Sequence, residues 1–409
     1  MSPYTFMTMI VLWIVAAAWT PAIAQEPIPI GVISSLSGPM ALLGTGGHQG
    51  AIMATEEINQ KGGVLGRPLK LLMRDDKSST EEGAKAFREL AAEGVAVVVG
   101  NVISSVAASI NPHARELKVP FFSVIGFARF LTEEAGHRYF FRLVTNDRVY
   151  GYPVAEFMAK QAPNKYCTIA NDFAFGREIT RQVMTRLKEL KPAAHVLPGC
   201  EFWAPIGTAD FTPQITVILA KRPDALMFGG VVGTSAPAFI KQAKSFGLFT
   251  NIQGVHTALG YPVNTAGLAR ADVPEGIFTG GDYPYPPLNT PLNKTFFEAY
   301  RKRWNQLPLS EPVNSYTTVR FVAQALQKAG RVDREAFVEA AERMSIEHPS
   351  LGVITVRPFD HQANAGWWMG YLTWDESNNR AGMRDTWYVK PEAYLPSQEE
   401  IQRLRSQKK

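Results

Sequence analysis

VAVVVGNVISSVAASINPHARELKVPFFSV, residues 95–124, carries a strand, a loop, a helix and a second strand in that order. Val95–Val99 holds only β-branched and small residues, with nothing to face water, so it reads as a parallel strand buried on both faces. Asn111–Leu117 is helical and Pro120–Val124 is the next strand. Between them, Val99 to Ser105 places two hydroxyls directly after a strand and before a helix. A helix start offers unsatisfied N–H groups and partial positive charge, which suits a carboxylate. Ser104 and Ser105 are therefore candidate anion contacts, and either could instead be the N-cap.

The same unit repeats upstream. Ile28–Ile33 (IPIGVI) and Pro68–Met73 read as strands, and Gly50–Gln60 and Thr80–Glu93 as helices, the second with acidic residues in its first turn. Gly44-Thr45-Gly46-Gly47 reads as a loop entering a helix, since it lacks the spacing of a dinucleotide turn and the lysine of a P-loop. Repeated β–loop–α units imply a parallel sheet with helices on both faces. Downstream the pattern restarts: Tyr166–Ala170, Ile179–Glu189, His195–Leu197, Phe211–Ala220, Ala225–Gly229 and Ala236–Phe246 form a second series. The extended Phe140–Asp147 separates the two. Asp282–Thr290 (DYPYPPLNT) is too rich in proline for a helix and leads back to helices at Pro291–Asn305, Tyr316–Ala329 and Arg334–Arg343. From Gly352 to Val389 the chain is β-rich. The expected fold class is α/β, two Rossmann-like lobes with parallel sheets joined by a three-segment hinge. Lobe 1 takes residues 25–145 with 281–352, and lobe 2 takes 146–280 with 353–409.

Composition agrees with an ordinary globular chain: 409 residues, 46% hydrophobic, 11% aromatic, net charge +5. Lysine and arginine are dispersed, so a nucleic-acid partner is not expected. Phe6–Trp19 is a short apolar run closed by Ala22-Ile23-Ala24, the pattern of a cleavable signal peptide over residues 1–24, although no Lys or Arg precedes it. Export to the periplasm follows, and no later segment is long and apolar enough to span a bilayer. Cys167 and Cys200 are the only cysteines, and neither stands near the cleavage point to carry a lipid. An oxidising compartment permits their pairing, and sequence leaves it open against two buried thiols.

Catalytic signatures are missing. No G-x-S-x-G stands in a strand–turn–helix context, and H-E-x-x-H, P-loop and C-x-x-C motifs do not occur. None of the 7 histidines pairs with another at metal-ligand spacing, and His361 reads as a surface turn residue. Asp75 and Asp76 alternate faces of a strand, so they cannot address one substrate atom; capping of the next helix and lining of the rim suit them better. The expectation is a non-enzyme with no cofactor and no metal.

The order Ile30-Gly31-Val32, Leu36-Ser37-Gly38-Pro39, Gly44, Gly50-Ala51, Glu57-Ile58-Asn59 and Gly62-Gly63 resembles the opening of type I periplasmic binding proteins of ABC importers, the leucine/isoleucine/valine-binding class. Arg74-Asp75-Asp76, Val98-Val99-Gly100 with Ser104-Ser105, Phe141-Arg142, Phe175-Gly176-Arg177, Gly247-Leu248 and Asp360-His361-Gln362 continue it through the mature chain. The resemblance implies a ligand held between the lobes and delivered to permease subunits by a monomer with no enzymatic step. It implies that Ser104 takes a ligand carboxylate, that Ile125, Gly126 and Phe127 form the next contact, and that Phe175 stands where tyrosine is common. Val231 matches an aromatic strand-end position, and His256 falls near the acid that takes an α-ammonium. Leu43 completes the candidate set, with Arg129 or His256 at the far end of the ligand. Loss of the acid at His256 and of hydroxyls at Phe127 and Phe175 favours an aromatic or other non-amino carboxylate, because an unpaired buried ammonium is costly. A branched-chain-amino-acid-like ligand, an amide or urea-type solute, and a sensory receptor domain of the same fold stay open as alternatives. Either core packing or exposure to the cleft fits the two phenyl rings.

Overall fold

The computed structural model describes residues 26–100, 102–256 and 263–407; the expected signal peptide at 1–24 and Asn101 of the serine loop lie outside them. The first lobe is built from β1 (Ile28–Ser34), α1 (Ala41–Gln60), β2 (Leu69–Asp75), α2 (Thr80–Ala92), β3 (Val97–Gly100), α3 (Ser104–Leu117), β4 (Phe121–Ser123) and β5 (Phe140–Arg142). These strands form a parallel sheet in the order β2-β1-β3-β4-β5. The β-branched run of β3 is buried without exposure on either face, as its composition requires. Neighbouring residues of β4 point to opposite faces: Phe121 meets Phe87 of α2 at 5.9 Å between ring centroids, and Phe122 meets Phe321 on the other side at 5.7 Å.

The chain then crosses to a second lobe made of α4 (Asp147–Ala159), β6 (Lys165–Asn171), α5 (Ala174–Leu190), β7 (His195–Ala204), α6 (Thr212–Lys221), β8 (Ala225–Gly230), α7 (Ser235–Ser245), α8 (Leu248–Asn251), β9 (Gly254–His256) and β10 (Phe278–Gly281). It returns through α9 (Pro291–Trp304), α10 (Ser310–Ala329), α11 (Arg334–Ala341) and the hairpin β11 (Ser345–His348) with β12 (Gly352–Thr355), and α10 packs along α1 and β3 of the first lobe. A last crossing brings β13 (Trp367–Asp375) and β14 (Arg380–Val389) to the second sheet, ordered β14-β13-β10-β9-β8-β6-β7. That sheet is parallel from β7 to β10, and β13 and β14 add an antiparallel edge. The terminal α12 (Gln398–Ser406) leans back on the first lobe, where Arg405 donates to the carbonyls of Glu133 (2.9 Å) and Thr132 (3.0 Å). Glu400 of the same helix accepts from Arg148 Nη1 of α4 at 2.9 Å, so α12 touches both lobes.

Several local expectations are corrected. Gly44–Gly47 lies inside α1, not in a loop before it. The glycines serve close approach: a Cβ on Gly44 would fall 1.9 Å from the Ser35 carbonyl oxygen, and one on Gly50 would fall 2.0 Å from that of Pro312. α10 begins at Ser310, well ahead of the expected Tyr316, because Pro312 fits the first turn of a helix. β7 extends to Ala204, and its register against β6 shifts between Tyr166 and Thr168. The extra residues, with Gly199 at φ +68°, bring Cys200 opposite Cys167, and the two form a disulfide. His361 is not a surface turn residue: it is buried, stacks on Phe141 at 4.1 Å and accepts the Arg142 N–H at its carbonyl. Asp76 is buried and receives the Ser35 hydroxyl (2.6 Å), while Ser79, not an aspartate, caps α2. Among the described residues no helix is long and apolar enough to cross a membrane.

Candidate functional site

The carboxyl ends of both parallel sheets face each other, and between them lies a narrow cavity. The first lobe contributes Met40 and Leu43 at the start of α1, Val102 and Ser104 at the start of α3, and Ile125 and Phe127 after β4. The second contributes Phe173 and Phe175 around the start of α5, Val232 after β8, and Asn264. Gly281 and Asp282, then Ser310 and Glu311, and finally Trp367 close it from the hinge side.

The start of α3 is the polar feature of the first lobe. Its N-cap is Ile103, so neither serine fills that role. Ser104 is buried, and its Oγ accepts the Ala128 N–H at 3.3 Å. A hydroxyl that accepts retains its proton, and Ser104 can give that proton to a ligand in the cavity. Ser105 points elsewhere: its Oγ accepts the N–H of Ala174, the first residue of α5, at 3.3 Å and so ties the lobes together.

The middle of the cavity is aromatic. Phe127 of the first lobe meets Phe175 of the second edge to face at 6.1 Å, and it meets Trp367 at 5.8 Å. Both phenyl rings are buried and both line the cavity, so each packs in the core and faces the cleft. Such ring pairs add roughly 0.5–1.5 kcal/mol beyond the area they bury. The loop that presents Phe127 is fastened by Arg142, which is wholly buried. Its Nη1 donates to the carbonyls of Gly126 (2.6 Å) and Ala128 (2.9 Å), and its Nε donates to Gln362 Oε1 (2.6 Å). Burial holds the Arg142 guanidinium down to about 10, still well charged at neutral pH.

The hinge side is acidic, a feature the sequence reading missed. Asp282 Oδ2 accepts the side-chain amide of Asn314 at 2.8 Å. Asn314 Oδ1 in turn lies 2.9 Å from His348 Nε2, while His348 Nδ1 accepts the N–H groups of Ser350 (3.1 Å) and Leu351 (3.2 Å). Two N–H donors at Nδ1 leave the His348 proton on Nε2, which turns the Asn314 amide nitrogen toward Asp282. Burial pushes His348 down to about 3, so it adds no charge. Burial also pushes the Asp282 carboxyl up, and it pushes Glu311 up to about 8 with a further contribution from Asp282. No lysine or arginine lines this cavity among the described residues.

The structure thus brings Leu43, Ser104, Ile125, Phe127 and Phe175 to one cavity. Gly126 lies between two of them and contributes its carbonyl to Arg142. Val231 is buried beside the cavity, and its neighbour Val232 supplies the wall. Arg129 does not face the cavity, because its guanidinium is held by Glu133, Glu134 and Glu178. The side chain of His256 lies outside the described residues, although its backbone belongs to β9. A sequence signal for Glu311 did exist: Ser310-Glu311-Pro312 is a helix start with an acid in its first turn.

The family model described as periplasmic binding protein matches residues 27–379. The leucine-, isoleucine-, valine-, threonine- and alanine-binding protein of Pseudomonas aeruginosa is 26% identical over 331 residues, which is 80% of this chain and 86% of that one. The Leu/Ile/Val-binding protein of Escherichia coli is 23% identical, covering 90% and 92%. Among solved structures, a solute-binding protein of an ABC transporter from Rhodopseudomonas palustris with 3,4-dihydroxybenzoic acid aligns with a TM-score of 0.78 at 21% identity, covering 89% of this chain and 98% of that one. A leucine-binding protein from Thermotoga maritima aligns at 0.74 with 20% identity, covering 90% and 99%. At such identities the structures speak for the fold, and the family match speaks for descent: the chain belongs to the periplasmic binding protein family, type I, of the leucine/isoleucine/valine-binding class.

Proposed function

We propose that this protein is the periplasmic solute-binding component of an ABC importer and that it captures a small carboxylate with an apolar, preferably aromatic body between its lobes. The observation that supports this reading best is the start of α3, where Ser104 lines a cavity walled by Phe127, Phe173, Phe175 and Trp367. The partial positive charge of a helix start suits the anion, and the rings suit a flat body. The lobes would close by hinge rotation, with the closed form favoured by contacts the ligand makes to both. Relatives whose names refer to branched-chain amino acids and neighbours crystallised with benzoates both accord with a carboxylate-bearing ligand. Export through residues 1–24 and hand-over to permease subunits complete the proposal.

A thermal-shift screen of the mature protein against amino acids, aromatic acids, aliphatic acids and amides tests it, since a ligand of the folded state raises the midpoint by mass action. Stabilisation by benzoate-like acids is expected. Stabilisation by leucine or valine alone contradicts the aromatic preference, and a response confined to uncharged amides contradicts the carboxylate.

A further inference from the structure

Three residues that line the cavity each carry a buried polar atom with no partner in the protein: Glu311 Oε2, Asn264 Oδ1 and Trp367 Nε1. Their residues are 1%, 6% and 2% exposed, so bulk water does not satisfy them. Glu311 and Asn264 offer acceptors, and the indole N–H is a donor only. A buried polar group without a partner costs roughly 1–3 kcal/mol, and such groups in a ligand cavity set what the ligand must bring.

The geometry around Trp367 narrows the choice. A Cβ on Gly280 would lie 2.3 Å from Trp367 Nε1, so the indole edge lies against the end of β10, immediately before Gly281 and Asp282. The orphan donor thus lies beside Gly280, just ahead of Gly281 and Asp282 in the chain, and the cavity touches Gly281, Asp282, Glu311 and Trp367 alike. A protonated amine could donate to the carboxyl but could not accept from the indole. A purely apolar end would leave all three atoms unsatisfied.

We propose that the cavity has a second polar pole at Glu311, Asn264 and Trp367, built for a ligand hydroxyl that accepts from the indole N–H and donates to Glu311 or Asn264. The inference rests on the carboxylate reading above and sharpens it: the ligand is a hydroxylated acid, with its anion at the α3 start and its hydroxyl at the hinge. Burial keeps the Glu311 carboxyl protonated up to about 8, which fits a neutral ligand group at this end better than a cation.

Calorimetric titration of the mature protein with paired acids that differ in one hydroxyl tests this. The pairs are benzoate with 4-hydroxybenzoate and hexanoate with 6-hydroxyhexanoate; 4-(aminomethyl)benzoate is the cationic control. The hydroxyl member of the tighter pair should bind at least ~10-fold more strongly, because sites built to hydrogen-bond a hydroxyl reject the analogue lacking it. That ratio should collapse toward unity in Trp367→Phe and Glu311→Met. Glu311→Gln, which keeps an acceptor of the same shape, should retain it and guards against a folding defect. Equal affinity within each pair, tighter binding of the aminomethyl acid, or a ratio unchanged in both variants overturns the second pole and leaves the carboxylate reading standing. Failure of every acid to bind overturns both.

Discussion

Arg129 of the first lobe reaches across to Glu178 on α5 of the second, Nε to Oε1 at 3.0 Å, while its Nη1 holds Glu133 at 2.6 Å and Glu134 at 3.0 Å. The pair is 15% and 16% exposed, so solvent screens it less than a surface bridge. Together with Ser105 and Ala174 it fastens the lobes in the closed arrangement. Arg129 is therefore a clasp in this structure, and its pull on ligand affinity would be indirect.

Removal of the clasp should cost binding more than folding. Glu178→Gln is the cleaner change, because loss of Arg129 would also leave Glu133, which is buried, with Arg148 alone. Disfavouring the closed form by about 1 kcal/mol weakens apparent affinity roughly fivefold. Titration of the variant with the best ligand, beside the unfolding midpoint without ligand, separates the two effects. An unchanged affinity shows that the bridge does not favour closure.

Ser104→Ala removes the hydroxyl at the α3 start and should weaken a carboxylate ligand by roughly 1–3 kcal/mol, the usual cost of one hydrogen bond lost to a charged partner. Calorimetry on the variant reads this directly. Equal affinity removes Ser104 from the site.

The fold was legible because its decisive signals are local. The β-branched run at Val95–Val99, the restart at Tyr166 and the proline-rich Asp282–Thr290 each fix an element type by composition alone. The aromatic half of the site was legible for the same reason, since Phe127 and Phe175 follow strands in recognisable places. The acidic half was not. Asp282 and Glu311 stand in separate crossing segments and meet only when the hinge is assembled, and the helix-start signal at Glu311 says nothing of a cavity. Arg129 misled because its partners Glu133, Glu134 and Glu178 converge through three different segments. The disulfide depended on a register shift in β7 that composition does not encode.

Glu311 should give the ligand-free protein a pH signature. Its carboxyl moves from an ordinary 4.5 to about 8 on folding, so the folded chain holds the proton more tightly than the unfolded one. The associated stability is fully present below pH 4.5 and is lost as pH rises through about 8, with a slope of at most roughly 1.4 kcal/mol per pH unit. Glu311→Gln cannot ionise, so its unfolding midpoint should gain on the wild type between pH 5 and 8. A constant gap across that range contradicts the buried acid. His348, held down to about 3, acts in the opposite sense below its ordinary 6.5 and cancels in the comparison.

The disulfide between Cys167 and Cys200, both buried, closes a loop with a sequence separation of 33 between β6 and the edge strand β7. Loss of such a link typically costs about 2–4 kcal/mol. Denaturant unfolding of Cys167→Ser/Cys200→Ser beside the oxidised wild type should show a deficit of that order. Equal stability contradicts a structural role for the link.

A crystal structure of the mature protein with the tightest acid from the screen addresses the core of this account most directly. The expected result is density between the lobes, its carboxylate within hydrogen-bonding distance of Ser104 and its body against Phe127 and Phe175. Density outside that cleft, or a ligand whose anion turns away from the start of α3, contradicts it.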